Sequence, residues 1–381
     1  MSEPVNGFEF LEWLRQQDVN RSLNYRDYSH YLDYKARQNK IPLIGQFELS
    51  PRCNLDCKMC YVHLDPGQMS GHSVLSVETW KDLIHQAWEA GMMQATLTGG
   101  ECLMYPGFGE LFLYLHSLGC EAAVLTNGVL LDDKRIRFFS EHQPSKIQVT
   151  LYGQNDDVYE RVTGQRVFRT LDANIRKAAE AGLPVVIAVT PNAYLGEDAL
   201  ELVEYARGYG RPVTVSHSVF PPREETGRSG QQDDLPIDMQ IRIDQAVNAL
   251  HGIETREIDA DRLPPFGGGK HECAECGVSC AGGQSSFAID WKGTLTPCAR
   301  FSAISADALR LGFRNAWDRV SREAGSWPRV PECDGCPYSD VCYNCPAVML
   351  QFAEPGKQPV GLCEQTRCYV HHGVRRLPDC D

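Results

Sequence analysis

Between residues 44 and 220 the chain alternates short apolar runs with segments of helical period, and few folds accommodate that alternation. The runs Gln46–Leu49, Ala95–Thr98, Ala122–Thr126, Ile147–Leu151, Val185–Thr190 and Val213–His217 read as buried strands. The segments Glu78–Ala90, Phe108–Leu118, Lys134–His142, Arg169–Ala181 and Ala199–Gly208 gather their apolar residues on one helical face. Gly91, Gly119 and Gly182 follow three of them, where a left-handed cap residue is favoured. Each connection is long enough for a crossover, so the strands pair in parallel and wind in one hand. Six units fall short of a closed eight-fold barrel. The fold class is therefore α/β, a partial (βα)6 barrel of TIM-like construction over residues 44–220.

Residues 1–43 form a polar, aromatic N-terminal extension with a short helical stretch around Phe10–Leu14. Tyr25, Tyr28, Tyr31 and Tyr34 follow at i, i+3 spacing, which reads as a packed helix face rather than a peptide groove. Past the barrel, Pro221–Asp234 is rich in charge, proline and glycine, Ile237–Leu250 returns to helix, and Leu263–Gly269 is again soft. Residues 221–269 thus read as a linker with a bridging helix, and 270–381 as a small separate domain.

That last region holds most of the 16 cysteines. Cys53, Cys57 and Cys60 stand together, Cys102 and Cys120 are isolated, and eleven lie between Cys273 and Cys380. The start Met1-Ser2-Glu3-Pro4 shows no basic-then-apolar export pattern, and no run approaches the ~18 apolar residues of a membrane helix. A cytoplasmic chain with such a count uses its thiols for metal or catalysis rather than for disulfides. Two dense clusters imply two metal-binding regions, with bound metal replacing a large core after residue 270. Cys102 and Cys120 read as small buried residues. The net charge of −13 excludes a nucleic-acid backbone as partner.

Cys53-Asn54-Leu55-Asp56-Cys57-Lys58-Met59-Cys60 follows the first strand directly, at the strand end where βα-barrels carry their active sites. Three thiolates can hold three irons of a cubane and leave the fourth without a protein ligand; a zinc knuckle completed by His63 is the other reading. On these residues the chain resembles the radical S-adenosylmethionine (SAM) enzymes. Their signature, Cys-x3-Cys-x-(aromatic or apolar)-Cys, is matched by Cys53, Cys57, Met59 and Cys60. Leu97-Thr98-Gly99-Gly100-Glu101 after strand two is similar to the family's Gly-Gly-Glu element at the methionine amino group. Two glycines admit close backbone approach to a ligand, and a carboxylate suits an ammonium. The resemblance further implies SAM contacts by Asn127, by Thr150 at a ribose hydroxyl, by Arg161 near the carboxylate, and by Val189–Asn192 around the adenine.

Cys280-x12-Gly293-x4-Cys298, then Cys333-x2-Cys336-x5-Cys342-x2-Cys345 and Cys363, resembles the SPASM extension that carries two auxiliary four-iron clusters behind some radical SAM barrels. The last spacing is usually three residues; Tyr343-Asn344 gives two. The resemblance implies one cluster on Cys280, Cys298 and Cys345, with Cys276 or Cys273 as a fourth ligand. It implies a second on Cys333, Cys336, Cys342 and Cys363, and leaves Cys368 and Cys380 unassigned. A pair of zinc sites is the alternative for the Cys-x2-Cys pairs.

By this resemblance, reduced cluster and SAM yield a 5′-deoxyadenosyl radical that removes a hydrogen atom from the substrate. Members with this extension often act on peptides. The expected function is a maturase of a ribosomally made precursor peptide, served by a flavodoxin- or ferredoxin-type electron donor. A formylglycine-forming sulfatase maturase is the alternative, but that family carries an acidic residue directly after the cysteine matching Cys298, where this chain has Ala299 and Arg300. A zinc-bearing binding module is the third. Only 43 residues precede the barrel, short of the ~80 of a winged-helix leader-binding domain, so a separate leader-recognition protein is expected. No general base is identifiable.

Overall fold

The computed structural model describes residues 25–64, 67–69, 72–222, 233–250, 252–266 and 280–377. The helical stretch at Phe10–Leu14, most of the Pro221–Asp234 linker, Gly267–Gly269, and Cys273, Cys276 and Cys380 lie outside the described residues.

The barrel elements follow in the expected order. They are β1 (Ile44–Glu48), α2 (Val77–Glu89), β2 (Gln94–Thr98), α3 (Phe108–Ser117), β3 (Glu121–Thr126), α4 (Asp133–Glu141), β4 (Lys146–Leu151), α5 (Asp156–Thr163), α6 (Phe168–Glu180), β5 (Val185–Val189), α7 (Asp198–Arg207) and β6 (Val213–Val215). Ahead of them lies α1 (Tyr25–Asn39). The strands pair in parallel in sequential order from β6 to β1. Local chemistry fixes the boundaries. Ser76, Asp132 and Asn155 cap α2, α4 and α5 by accepting from free backbone N–H groups, and Gly164 ends α5 in the left-handed conformation. α5 is an addition to the expected set: its eight residues are too short a periodic stretch to stand out.

The pleat sorts the side chains. In β4, Ile147, Val149 and Leu151 are buried among the helices, while Gln148 and Thr150 alternate onto the face that lines a cavity. α6 answers with Phe168, Leu171, Ile175 and Ala178 on one buried stripe.

The sheet does not stop at the expected boundary near residue 270. After α8 (Ile237–Leu250), strand β7 (Ser286–Ile289) pairs in parallel with β1, Ile44 opposite Ser286, and β8 (Thr294–Thr296) and β9 (Ala306–Asp307) extend it antiparallel. The order β6-β5-β4-β3-β2-β1-β7-β8-β9 makes nine strands instead of six. Without β7, β1 would present an unpaired edge beside the cysteine loop. Phe287 seals the join, its ring 5.8 Å from Phe47, 4.9 Å from Phe313 and 6.1 Å from Trp317. Phe313 and Trp317 belong to α10 (Phe313–Gly325), which follows the short α9 (Ala308–Leu311). The main core thus runs on through residues 287–324, and the expectation that metal replaces a core there is corrected. Around α11 (Pro346–Met349) and α12 (Val360–His371) the apolar packing divides, and Leu263, Tyr338, Val370 and Leu377 form only a small separate cluster.

α1 leans on this seam through Ser285, whose hydroxyl donates to Asp33 at 2.6 Å. Trp317 Nε1 donates to the Lys40 carbonyl, just past the helix, at 2.7 Å. Tyr31 and Tyr34 are half-buried and Tyr28 is exposed.

Phe287→Ala empties the seam between β1 and α10 and is expected to cost about 3–5 kcal/mol. Denaturant unfolding of the holoprotein checks this; a loss below about 1 kcal/mol would show that β7 is not integral to the barrel.

Candidate functional site

The C-terminal ends of β1–β6 surround a cavity of about 430 Å³. Of the sequence-expected residues it brings together Cys53, Cys57, Cys60, Gly99, Gly100, Asn127 and Thr150, with Val189 and Thr190 from the end of β5. Glu101, Arg161, Pro191 and Asn192 do not line it.

The cysteine loop is held from two sides. The Asp56 and Lys58 N–H groups donate to Thr163 and Val162 at the end of α5, at 2.8 and 3.1 Å. On the other side the Gly100 N–H donates to the Ser50 carbonyl and the Glu101 N–H to that of Arg52, at 2.8 and 2.9 Å. This approach explains the glycine pair differently from the sequence reading. A Cβ on Gly99 would sit 2.5 Å from the Ser50 oxygen, and one on Gly100 2.5 Å from that of Arg52. The glycines admit the neighbouring loop.

Glu101 also departs from its expected part. Its fully buried carboxylate accepts from the Leu103 N–H at 2.9 Å, the Thr126 hydroxyl at 2.8 Å and the Asn127 N–H at 2.7 Å. Burial pushes this carboxyl above its ordinary value, and those donors oppose the shift. Glu101 therefore ties the end of β2 to the end of β3, its carboxylate set back from the lining of the cavity. Asn127, so placed, donates from Nδ2 to Asn54 Oδ1 at 2.7 Å and to Cys53 Sγ at 3.5 Å. Arg161 is drawn off to the loop before α7, donating to the Tyr194 carbonyl at 2.8 Å and pairing with Asp198.

The thiols themselves accept backbone donors: Leu55 N–H to Cys53 at 3.4 Å and His63 N–H to Cys60 at 3.2 Å. Burial raises the Cys53 thiol to about 12, so ionisation there requires a bound cation. Tyr152, just past β4, lines the same cavity, and burial followed by the nearby thiols holds its phenol well above the ordinary value. Phe220 and Arg300 also line it and were not foreseen as site residues.

In the C-terminal region Cys333, Cys336, Cys342 and Cys363 line one small cavity. Burial raises Cys333 to about 12, with Cys363, Cys342 and Cys336 adding to it. Cys280, Cys298 and Cys345 form a second group: burial raises the Cys280 and Cys298 thiols, and the nearby Cys345 adds to both. Cys368 is half-buried on α12 and joins neither group. Cys102 and Cys120 are buried, their thiols directed at the Leu125 and Met92 carbonyls.

Among the described residues no three His, Cys, Asp or Glu side chains converge on a point where one metal ion would sit. A tetrahedral zinc would hold its sulfurs about 3.8 Å apart, given bonds near 2.3 Å. The Cys53, Cys57 and Cys60 thiols line the cavity without converging on one such point, and His63 Nδ1 lies 3.6 Å from the Asp56 carboxylate. Three soft ligands spread around one cavity, with no fourth cysteine among the described residues lining it, suit a cubane better than a single ion.

The family model described as the radical SAM superfamily matches residues 47–197. Residues 47–197 are a radical SAM domain. The chain is 25% identical over 260 residues to the sporulation killing factor maturation protein SkfB of Bacillus subtilis, covering 68% of this chain and 60% of that one. It thus spans less than two thirds of that relative. To the antilisterial bacteriocin subtilosin biosynthesis protein AlbA of Bacillus subtilis it is 24% identical over 349 residues, covering 89% and 75%. The crystal structure of Streptococcus suis SuiB bound to precursor peptide SuiA shares the fold at a TM-score of 0.65, with 17% identity over 94% of this chain and 87% of that one. The radical SAM family implies a four-iron cluster and SAM, and the thiol set facing this cavity fits that group. No described helix is long and apolar enough to cross a membrane.

Glu101→Ala strands two backbone N–H groups and a hydroxyl in the radical SAM domain, and is expected to cost on the order of 3 kcal/mol or more. The folded chain binds the Glu101 proton more tightly than the unfolded chain. The advantage of the wild type over the variant therefore shrinks as pH rises above 4.5 and through the folded value. Denaturant titrations across pH test both; a loss under about 1 kcal/mol, or a gap that widens with pH, would contradict the assignment.

Proposed function

We propose that the chain is a radical SAM maturase of a ribosomally made precursor peptide, holding three four-iron clusters. The observation that carries the reading is that Cys53, Cys57 and Cys60 face one cavity that no fourth described cysteine lines. Peptide as substrate rests on the relatives. SkfB is a maturation protein for a killing factor, AlbA serves subtilosin biosynthesis, and SuiB binds the precursor peptide SuiA.

The chemistry supplied by cluster and SAM together is one-electron cleavage of the sulfonium and removal of a hydrogen atom from an unactivated carbon. The protein's share is orientation and exclusion of water. Cys53, Cys57 and Cys60 would hold the first cluster, with Asn127 donating to Cys53. Gly99, Gly100, Thr150 and Gln148 present the polar wall for SAM, with Val189 and Thr190 across from them on β5. Arg161, already paired with Asp198, would reach a SAM carboxylate only after giving up that partner. Tyr152 keeps its proton, offering a donor but no base.

Cys333, Cys336, Cys342 and Cys363 would take one auxiliary cluster, and Cys280, Cys298 and Cys345 the other, with Cys276 or Cys273 available as its fourth ligand. A flavodoxin- or ferredoxin-type donor and a separate leader-recognition protein remain part of the proposal. Ala299 offers no carboxylate after Cys298, which disfavours formylglycine formation.

Anaerobic reconstitution is expected to give about 12 irons per chain, and 5′-deoxyadenosine on addition of SAM and a reductant. The triple variant Cys53→Ala, Cys57→Ala, Cys60→Ala should keep about eight irons and form no 5′-deoxyadenosine. Zinc in place of iron, or product from the triple variant, would contradict the reading. Mass spectrometry and chiral analysis of a short peptide co-expressed with the chain test the substrate class: loss of two hydrogens marks a crosslink, an inverted centre at unchanged mass an epimerisation, and a lost fragment a backbone cut, and a peptide returned unaltered would contradict it.

A further inference from the structure

The wall of the radical SAM cavity is electrostatically lopsided. Among the described residues no Asp or Glu lines it, and Arg300 is its one permanently charged side chain. Arg300 is exposed and lies between β8 and β9, so the strands that close the edge of β1 also deliver this cation to the cavity. Its guanidinium carbon stands 5.0 Å from the centre of the Phe220 ring, and that ring is 6.4 Å from Tyr61, the residue after Cys60. An aromatic ledge thus steadies the cation on the approach to the cysteine loop.

Elsewhere on this surface arginines find carboxylates: Arg161 pairs with Asp198, Arg166 with Asp157 and Glu160, and Arg176 with Asp172. Arg300 has no such partner among the described residues. A guanidinium held at a cavity mouth with its donors unspent is built for a planar anion, which it grips with two parallel hydrogen bonds. The chain carries −13 overall, so an acidic group on a peptide is repelled by most of the surface and is drawn to this one point.

We propose that Arg300 is a specificity residue that binds a carboxylate of the substrate, an Asp or Glu side chain close to the modified residue. This rests on the peptide-maturase reading and deepens it by naming the chemistry of a residue the peptide must carry. SAM brings a carboxylate too, and the test separates the two.

The reconstituted holoenzyme with SAM is used to select from a displayed library of random decapeptides, alongside Arg300→Gln and Arg300→Glu. Arg300 is exposed, so both variants should fold, and unchanged iron content verifies it. Asp and Glu are expected at one peptide position about tenfold above their input frequency. Arg300→Gln should lose that enrichment, and Arg300→Glu should exchange it for Lys and Arg. Equilibrium dialysis should give the same SAM affinity for wild type and Arg300→Gln. An enriched motif with no acidic position, or the same acidic position in Arg300→Gln, overturns the proposal and leaves the peptide reading standing. A loss of SAM affinity with an unchanged peptide motif assigns the guanidinium to SAM and also overturns it. Failure to enrich any peptide removes the proposal together with the reading beneath it.

Discussion

Everything at this site depends on how closely two loops approach each other. The backbone after β1 lies on the backbone after β2, carbonyl of Ser50 to N–H of Gly100 and carbonyl of Arg52 to N–H of Glu101, with no room for a side chain between them. From that contact the cysteine loop takes its position, one side against Gly99 and Gly100 and the other against the end of α5. The buried Glu101 carboxylate then carries the constraint to β3 through Thr126 and Asn127, and Asn127 returns it to Cys53. Three strand ends are thus locked together by polar groups that burial makes costly to leave unmet. Such a frame suits a site that must hold ligands in fixed relation while its chemistry runs.

The second organising feature is the join at β1. A partial barrel leaves an open edge, and here the edge is the strand that bears the cysteine loop. β7 covers it, Phe287 packs its underside, and β8 and β9 bring Cys298 and Arg300 alongside. Cys280 and Cys298, on either side of β7 and β8, are therefore positioned relative to the barrel by a continuous sheet. Past α10 the sheet is gone and the apolar packing thins to a small cluster, which is where four cysteines gather around one small cavity. Ligation has most to contribute where the core contributes least.

How much of this was legible in the sequence follows the range of the interactions. The six barrel strands were readable because each is a local run of aliphatic residues, and their helices because periodicity needs only a dozen residues. β7 was not: four residues inside a cysteine–glycine motif carry no signal of their own, and their partner is β1, some 240 positions away. The three thiols were readable from spacing, and Thr150 and Asn127 were reached through the family resemblance of the ends of β4 and β3; all five line one cavity. Glu101 was placed by its resemblance to the Gly-Gly-Glu element, and sequence shows its charge but neither its burial nor the three donors aimed at it. Arg161 was reached by the same resemblance, and its pairing with Asp198, on an element two helices further on, leaves no sequence signal. Phe220 and Arg300 meet only once the sheet has closed.

The central claim is that the loop after β1 holds a cubane through three thiolates and leaves one iron for SAM. Electron paramagnetic resonance of the dithionite-reduced chain, with and without SAM carrying a 17O-labelled carboxylate, addresses that iron directly. The account predicts that one cluster signal shifts on addition of SAM and shows hyperfine coupling to the label, while the remaining signals stay where they were. Spectra indifferent to SAM, with no coupling to the label, would contradict it.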